Sequence, residues 1–202
     1  MSAVPQSATS PQGDPLVTVA REGGVVRLTL NRPAQFNALS EDLMRAVQGA
    51  LEQVAADPGA RVVVIAGAGK AFCAGHDLRE MRANPSHDYY RALFAQCARM
   101  MMTIQQLPQP VIARVHGIAT AAGCQLVAMC DLAVASADAK FAVSGVNLGL
   151  FCSTPSVALS RNLSRKAAFE MLVTGEFIDA PTAQAKGLVN RVVAPEALDA
   201  EI

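Results

Sequence analysis

An α/β fold follows from three features of this sequence. Short apolar, β-branched runs alternate with longer stretches of helical spacing from about residue 16 onwards. Gly, Pro and Asp turns punctuate the alternation. Hydrophobic residues make up 51% of the 202 and charged ones 17%, below the charged share of about a quarter in ordinary domains, so one sizeable core is within reach.

Taken in order, Leu16–Ala20 and Val25–Leu30 flank Arg21-Glu-Gly-Gly24, a hairpin signal. Ser40 reads as an N-cap with Glu41 and Asp42 in the first turn. Leu43, Val47, Leu51 and Val54 then keep helical spacing until Asp57-Pro58-Gly59. Arg61–Ala66 is a buried-strand pattern and Gly67–Asp77 a loop. Tyr90, Phe94, Cys97, Met101 and Ile104 mark an amphipathic helix over 88–106, closed by Pro108 and Pro110. Val111–Val115 is a strand, Ala121–Met129 a helix and Leu132–Ala135 a strand. Thr154-Pro155 opens a helix as N-cap and N1, and 165–173 and 181–186 are helical. The first 15 residues, rich in Ser, Pro, Gln and Ala, read as a disordered tail before one domain over 16–202. They resemble neither a secretory signal nor a transit peptide.

Charge and cysteine content narrow the function classes. Seventeen basic residues balance seventeen acidic ones, so no basic excess points to nucleic acid, and zero net charge permits self-association. No apolar run approaches the ~18 residues of a membrane span. Five cysteines without a framework spacing imply reduced thiols and a cytoplasmic protein. Cys73-Ala-Gly-His76 has a metal-like interval but no second ligand pair, so no metal site is expected. Gly67-Ala-Gly-Lys70 after a strand invites a nucleotide reading. Val64 and Ala71 break the P-loop pattern and Phe72 the dinucleotide one. Ser144 and Ser153 lack the glycines of a nucleophile elbow.

Two small-residue stretches remain, 71–78 (AFCAGHDL) and 117–125 (GIATAAGCQ). Small side chains let backbone N–H groups face a ligand, and two converging N–H groups make an oxyanion hole, with a helix dipole near Ala121 in support. Close packing of helix on strand uses the same residues, and spacing alone leaves both readings open.

These stretches belong to a longer set. Asn31-Arg-Pro33 with Asn37-Ala-Leu39, Ala71–Leu78, the 110–117 run PVIARVHG, Ala122–Leu126, Cys130–Ala135, and Thr174-Gly-Glu176 with Gly187-Leu-Val189 occur in the order found in the crotonase superfamily, the enoyl-CoA hydratase/isomerase family, which the chain resembles from about residue 16 to its end. The resemblance implies a spiral of ββα units, homotrimers or hexamers, and a coenzyme A thioester of fatty acid metabolism as substrate, with no permanent cofactor. It implies that the backbone N–H groups of His76 and Ala122 hold the thioester oxygen. Adenine would lie against Ala74, Asp77 and Leu78, and pantetheine along Phe36–Ala38. The family's C-terminal helices are expected to be missing or truncated, since the sequence stops at Ile202.

The two glutamates that share the attacking water in family hydratases fall at Gln125 and Gly145. Gln cannot accept a proton as a base and Gly has no side chain, so the resemblance implies a ligand class more firmly than a hydration mechanism. Restoring both glutamates is expected to create hydratase activity if only the acids are missing. Other groups could serve: the His76 imidazole, although most single histidines are structural or solvated, or the Cys152 thiol before a helix start, although a buried, inert Cys is the commoner case. Gln125 and Asn147 could orient water or hold an acyl amide. Tyr89, Tyr90 and the Met100–Met102 run read as core and acyl-chain wall. The sequence reading leans to an enzyme of hydratase/isomerase (lyase) type, with a non-catalytic acyl-CoA-binding or regulatory protein as the alternative.

Overall fold

The computed structural model describes residues 13–202, so residues 1–12 of the expected tail lie outside the described residues. Strands β1 (Val17–Glu22) and β2 (Val25–Leu30) form an antiparallel hairpin, with Gly23 at φ 55° in its turn. Helix α1 (Glu41–Ala55) follows, and the Ser40 hydroxyl caps it by accepting from the Leu43 N–H at 3.1 Å. The motif then repeats as strand, short strand, helix. β3 (Val62–Gly67) and β4 (Ala71–Cys73) lead through α2 (Leu78–Ala83) to α3 (His87–Gln106). β5 (Val111–Val115) and β6 (Ile118–Thr120) lead to α4 (Ala122–Met129). β7 (Leu132–Ser136) and β8 (Lys140–Ala142) lead through a 3-10 turn at Ser144–Leu148 to α5 (Ser153–Asn162). Then come α6 (Arg165–Thr174), β9 (Ile178–Asp179), α7 (Ala180–Lys186), β10 (Arg191–Val193) and α8 (Leu198–Glu201).

The repeat sorts the strands into two sheets. First strands of each unit join a six-stranded sheet in the order β1-β2-β3-β5-β7-β10, parallel except at the hairpin. Second strands from β4 onwards form a four-stranded sheet in the order β4-β6-β8-β9. This is the expected α/β spiral of ββα units. All eight residues of α4 are buried, as an apolar helix in the middle of a core must be. Its Gly123 has no room for a side chain, because a Cβ there would lie 2.1 Å from the Cys73 carbonyl oxygen. Glycine therefore lets α4 lie directly on β4. Among the described residues no helix is long and apolar enough to cross a membrane.

Several expectations shift. The expected loop at 67–77 contains β4, and β6 and β8 were not expected either. Each has only three residues, too few for a hydrophobic period to show. The helix expected to open at Thr154-Pro155 begins at Ser153, with Cys152 at the N-cap position and no side-chain cap. Pro155 fits because the first turn has no N–H partners to lose. The buried face of α3 is Leu93, Cys97, Met100, Met101 and Ile104, one step round from the expected one, while Tyr90 and Phe94 sit at its edge.

Candidate functional site

Residues 36–39 and 74–77 run side by side. The Ala74 N–H donates to the Phe36 carbonyl at 3.0 Å, the Leu39 N–H to Gly75 at 2.7 Å and the Asp77 N–H to Leu39 at 3.1 Å. Asn37 anchors this strip. It is fully buried with φ 55°, its amide donates to the carbonyls of Ala68, Ala71 and Phe72 at 2.9, 2.8 and 3.1 Å, and its Oδ1 accepts from the Arg32 N–H. Phe36, Ala38, Ala74, Asp77 and Leu78, named as coenzyme-binding positions, are thus brought together on two adjoining segments. Phe36 is 54% and Leu78 48% exposed along it. The Asp77 carboxylate is already engaged. It caps α2 through the Arg79 and Glu80 N–H groups and pairs with Arg32 at 3.0 Å. Burial opposes its ionisation, but Arg32 and these N–H groups outweigh that and hold it below the usual carboxylate range. Arg32, which also donates to the Ala38 carbonyl, is a member of this strip that sequence reasoning missed. Only the tertiary contact across 45 residues reveals it.

The strip meets the start of α4. Gly75 has φ 90°, and a Cβ there would lie 2.9 Å from the Ala121 Cβ and 3.2 Å from the Ala122 nitrogen. The Thr120 hydroxyl ties the two backbones by donating to the Ala74 carbonyl at 2.9 Å. Ala121 itself adopts φ 49°, ψ −119°, a strained conformation for a residue with a Cβ, at the position preceding the helix. Neither the His76 nor the Ala122 N–H has a hydrogen-bond partner among the described residues. Both residues line one cavity of about 200 Å³, which also takes in Gly145, Cys152 and Thr154. Among the described residues that line this cavity there is no Asp or Glu.

Two titratable side chains face this cavity. The His76 ring packs edge-on against Phe94, with centroids 5.4 Å apart, and both its nitrogens are buried without a well-formed hydrogen bond among the described residues. Burial drives its pKa from 6.5 down to about 4, against a weak opposing pull from the Leu39 backbone, so the imidazole is neutral near pH 7. Burial pushes the Cys152 thiol up, with the Gly145 backbone pulling the other way. That shift works against the activation a helix start could give and favours an inert thiol. All five cysteines are free and buried.

The two glutamate positions part company. Gly145 lines the cavity with His76 and Ala122, but a Cβ on it would lie 2.4 Å from the Leu150 carbonyl oxygen and 2.6 Å from the Cys152 sulfur. A glutamate there requires the 150–152 segment to shift, which weighs against two substitutions alone rebuilding a hydratase. Gln125, one helical turn after Ala122, lines a second cavity of about 180 Å³ instead. Met101 and Met102 line that second cavity too, so the methionine run does supply a wall. Asn147 donates to the Gly175 carbonyl at 3.4 Å and does not line the first cavity.

Residues 20–202 match the family model described as enoyl-CoA hydratase/isomerase. The chain belongs to the enoyl-CoA hydratase/isomerase family. It is similar to the Xenopus laevis "enoyl-CoA hydratase domain-containing protein 3, mitochondrial", 49% identical over 195 residues that make up 96% of this chain and 66% of that protein. The human protein of the same name is 45% identical, again over 96% of this chain and 64% of its own length. The chain therefore spans just under two thirds of these curated relatives. Among solved structures, an enoyl-CoA hydratase from Mycobacterium smegmatis superposes with a TM-score of 0.92 at 68% identity, covering 93% of this chain and 74% of that one. The human domain-containing protein 3 superposes at 0.89 and 44% identity, over 92% and 74%.

Proposed function

We propose that this chain binds an acyl-coenzyme A thioester and does not hydrate it. The thioester oxygen would sit between the His76 and Ala122 N–H groups, the pantetheine would pass Phe36 and Ala38, and the adenine would rest on Ala74, Asp77 and Leu78. One observation carries the reading: two unpartnered amides wall an apolar cavity that has no carboxylate. Fixed N–H donors stabilise negative charge on a thioester oxygen. Adding water across a double bond also needs a base and an acid, each worth typically 10²–10⁴-fold, and Gln125 and Gly145 supply neither. The lean of the sequence towards a lyase thus gives way to the binding alternative. Calorimetry with butyryl- and octanoyl-CoA, beside an absorbance assay with crotonyl-CoA, tests it. Micromolar binding with no hydration above buffer is the expected pair of results. Hydration by the unmodified chain, or no binding of either ester, refutes it.

A second reading keeps an enzyme. The His76 ring is neutral and its residue lines the cavity, so with a ring nitrogen turned towards the ligand it could remove a proton beside the thioester carbonyl. Incubation of butyryl-CoA in D₂O, followed by proton NMR, reads exchange at the α-carbon. Exchange that His76→Asn abolishes supports this reading, and an α-proton signal that stays undiminished over hours rules it out.

A further inference from the structure

The second cavity, of about 180 Å³, lies in a groove between α3 and α5 that the site described above does not use. Thr154, Val157, Ala158 and Arg161 line it from α5, and their spacing makes them one face of that helix. Met101, Met102 and Gln105 line it from α3. Met101, Ala158 and Met129 are buried in the floor, while Met102 and Val157 stand on the two rims, 42% and 51% exposed. Thr154 is the one lining residue that the two cavities share, so it divides them.

The groove has a direction. Thr154 of α5 and Phe94 of α3 both line the first cavity, and both helices run on from there. Arg161 lies seven residues beyond Thr154, about 10 Å along the helix, so it marks the far end beside Gln105. Arg161 is exposed and makes no ion pair or side-chain hydrogen bond among the described residues, and no Asp or Glu is among those that line the groove. Asn162 fixes this end by donating to the Ala128 and Ala158 carbonyls at 2.9 and 2.8 Å. An apolar trough that ends at an unpaired guanidinium complements a molecule with an apolar chain and an anionic head.

We propose that this groove binds a free medium-chain fatty acid, its chain lying over Met101, Met129 and Ala158 and its carboxylate on Arg161. An extended chain of about eight carbons covers the stretch from Thr154 to Arg161. A guanidinium holds a carboxylate through two parallel N–H donors. The flexible methionines adapt to the chain, whose removal from water supplies the rest of the affinity. The site stands on the groove alone and does not need the acyl-CoA reading.

Calorimetry of the intact chain with octanoate, 1-octanol and octylammonium tests it. Octanoate is expected to bind about fivefold tighter than 1-octanol, and octylammonium more weakly than either. Added salt should shrink the margin. Arg161→Gln should remove it and leave 1-octanol binding unchanged. Val157→Glu puts a carboxylate on the rim and should weaken octanoate more than 1-octanol. Both side chains are exposed, so neither change threatens the fold. If octanoate and 1-octanol bind alike, if the margin survives Arg161→Gln, or if neither binds, the inference fails. If octanoate is silent but suberyl-CoA binds tighter than octanoyl-CoA by a margin that needs Arg161, the groove is an arm of the thioester site; the inference then fails while the acyl-CoA reading stands. If octanoate is silent and Val157→Glu splits an oligomer on a sizing column, the groove is a subunit contact and the inference fails too.

Discussion

His76 combines a backbone donor and a buried ring, and the ring makes stability depend on pH. Its folded pKa, about 4, lies below the ordinary 6.5, so the unfolded chain takes up a proton first. The neutral ring's contribution is complete above about pH 6.5 and falls away as the pH drops towards 4, by roughly 3 kcal/mol in all. Urea unfolding at a series of pH values should show this slope, and His76→Asn should flatten it. An unchanged slope in the variant would mean that the ring is not held neutral. Gly145 gives the opposite kind of constraint, one of space. Gly145→Glu should cost about 2–3 kcal/mol through its collision with Leu150 and Cys152. The double variant with Gln125→Glu should still leave crotonyl-CoA unhydrated, and appearance of hydratase activity would show that the 145–152 segment can open.

At the scale of elements, the strip from 36 to 39 matters because it holds β3, β4 and the start of α2 in one arrangement. Asn37 does this by donating to three carbonyls, those of Ala68, Ala71 and Phe72, where β3 turns into β4. Asn37→Ala should cost about 3 kcal/mol, since it strands buried acceptors and keeps a left-handed backbone that Asn tolerates better. A denaturant midpoint measures that loss. Loss of acyl-CoA affinity beyond the loss in folded fraction would tie the strip to the ligand. Ser40 and Asp77 are simpler caps whose side chains accept from first-turn N–H groups, and both could be read from residue type and position alone.

For the whole molecule, the described surface leaves large apolar side chains uncovered. Leu148 is 66% and Phe169 63% exposed, with Leu150, Phe151 and Phe177 each about half exposed. Large exposed apolar side chains that gather into a patch mark interaction surfaces. Zero net charge does not oppose self-association. Light scattering behind a sizing column should therefore report an oligomer, with the trimer or hexamer implied by the resemblance as the proposed states. A monomer at tens of micromolar would contradict it. A concentration-dependent melting temperature would accompany assembly.

The sequence alone determined the α/β class, most of the long elements and, through ordered motifs, the family. Helix periodicity, caps and turn residues act over a few neighbours, so they can be read along the chain. Through the same resemblance it singled out His76, Ala122, Gln125 and Gly145. Tertiary structure decided the rest. It showed that Gly123 serves packing while Gly75 serves the approach of two backbones, although both are glycines in small-residue stretches. It placed Gln125 and Gly145 in different cavities, closed the space at Gly145, and left the Gln125 amide unpaired. Those facts depend on contacts between segments tens of residues apart, and burial and pairing across such distances leave no local pattern in the chain.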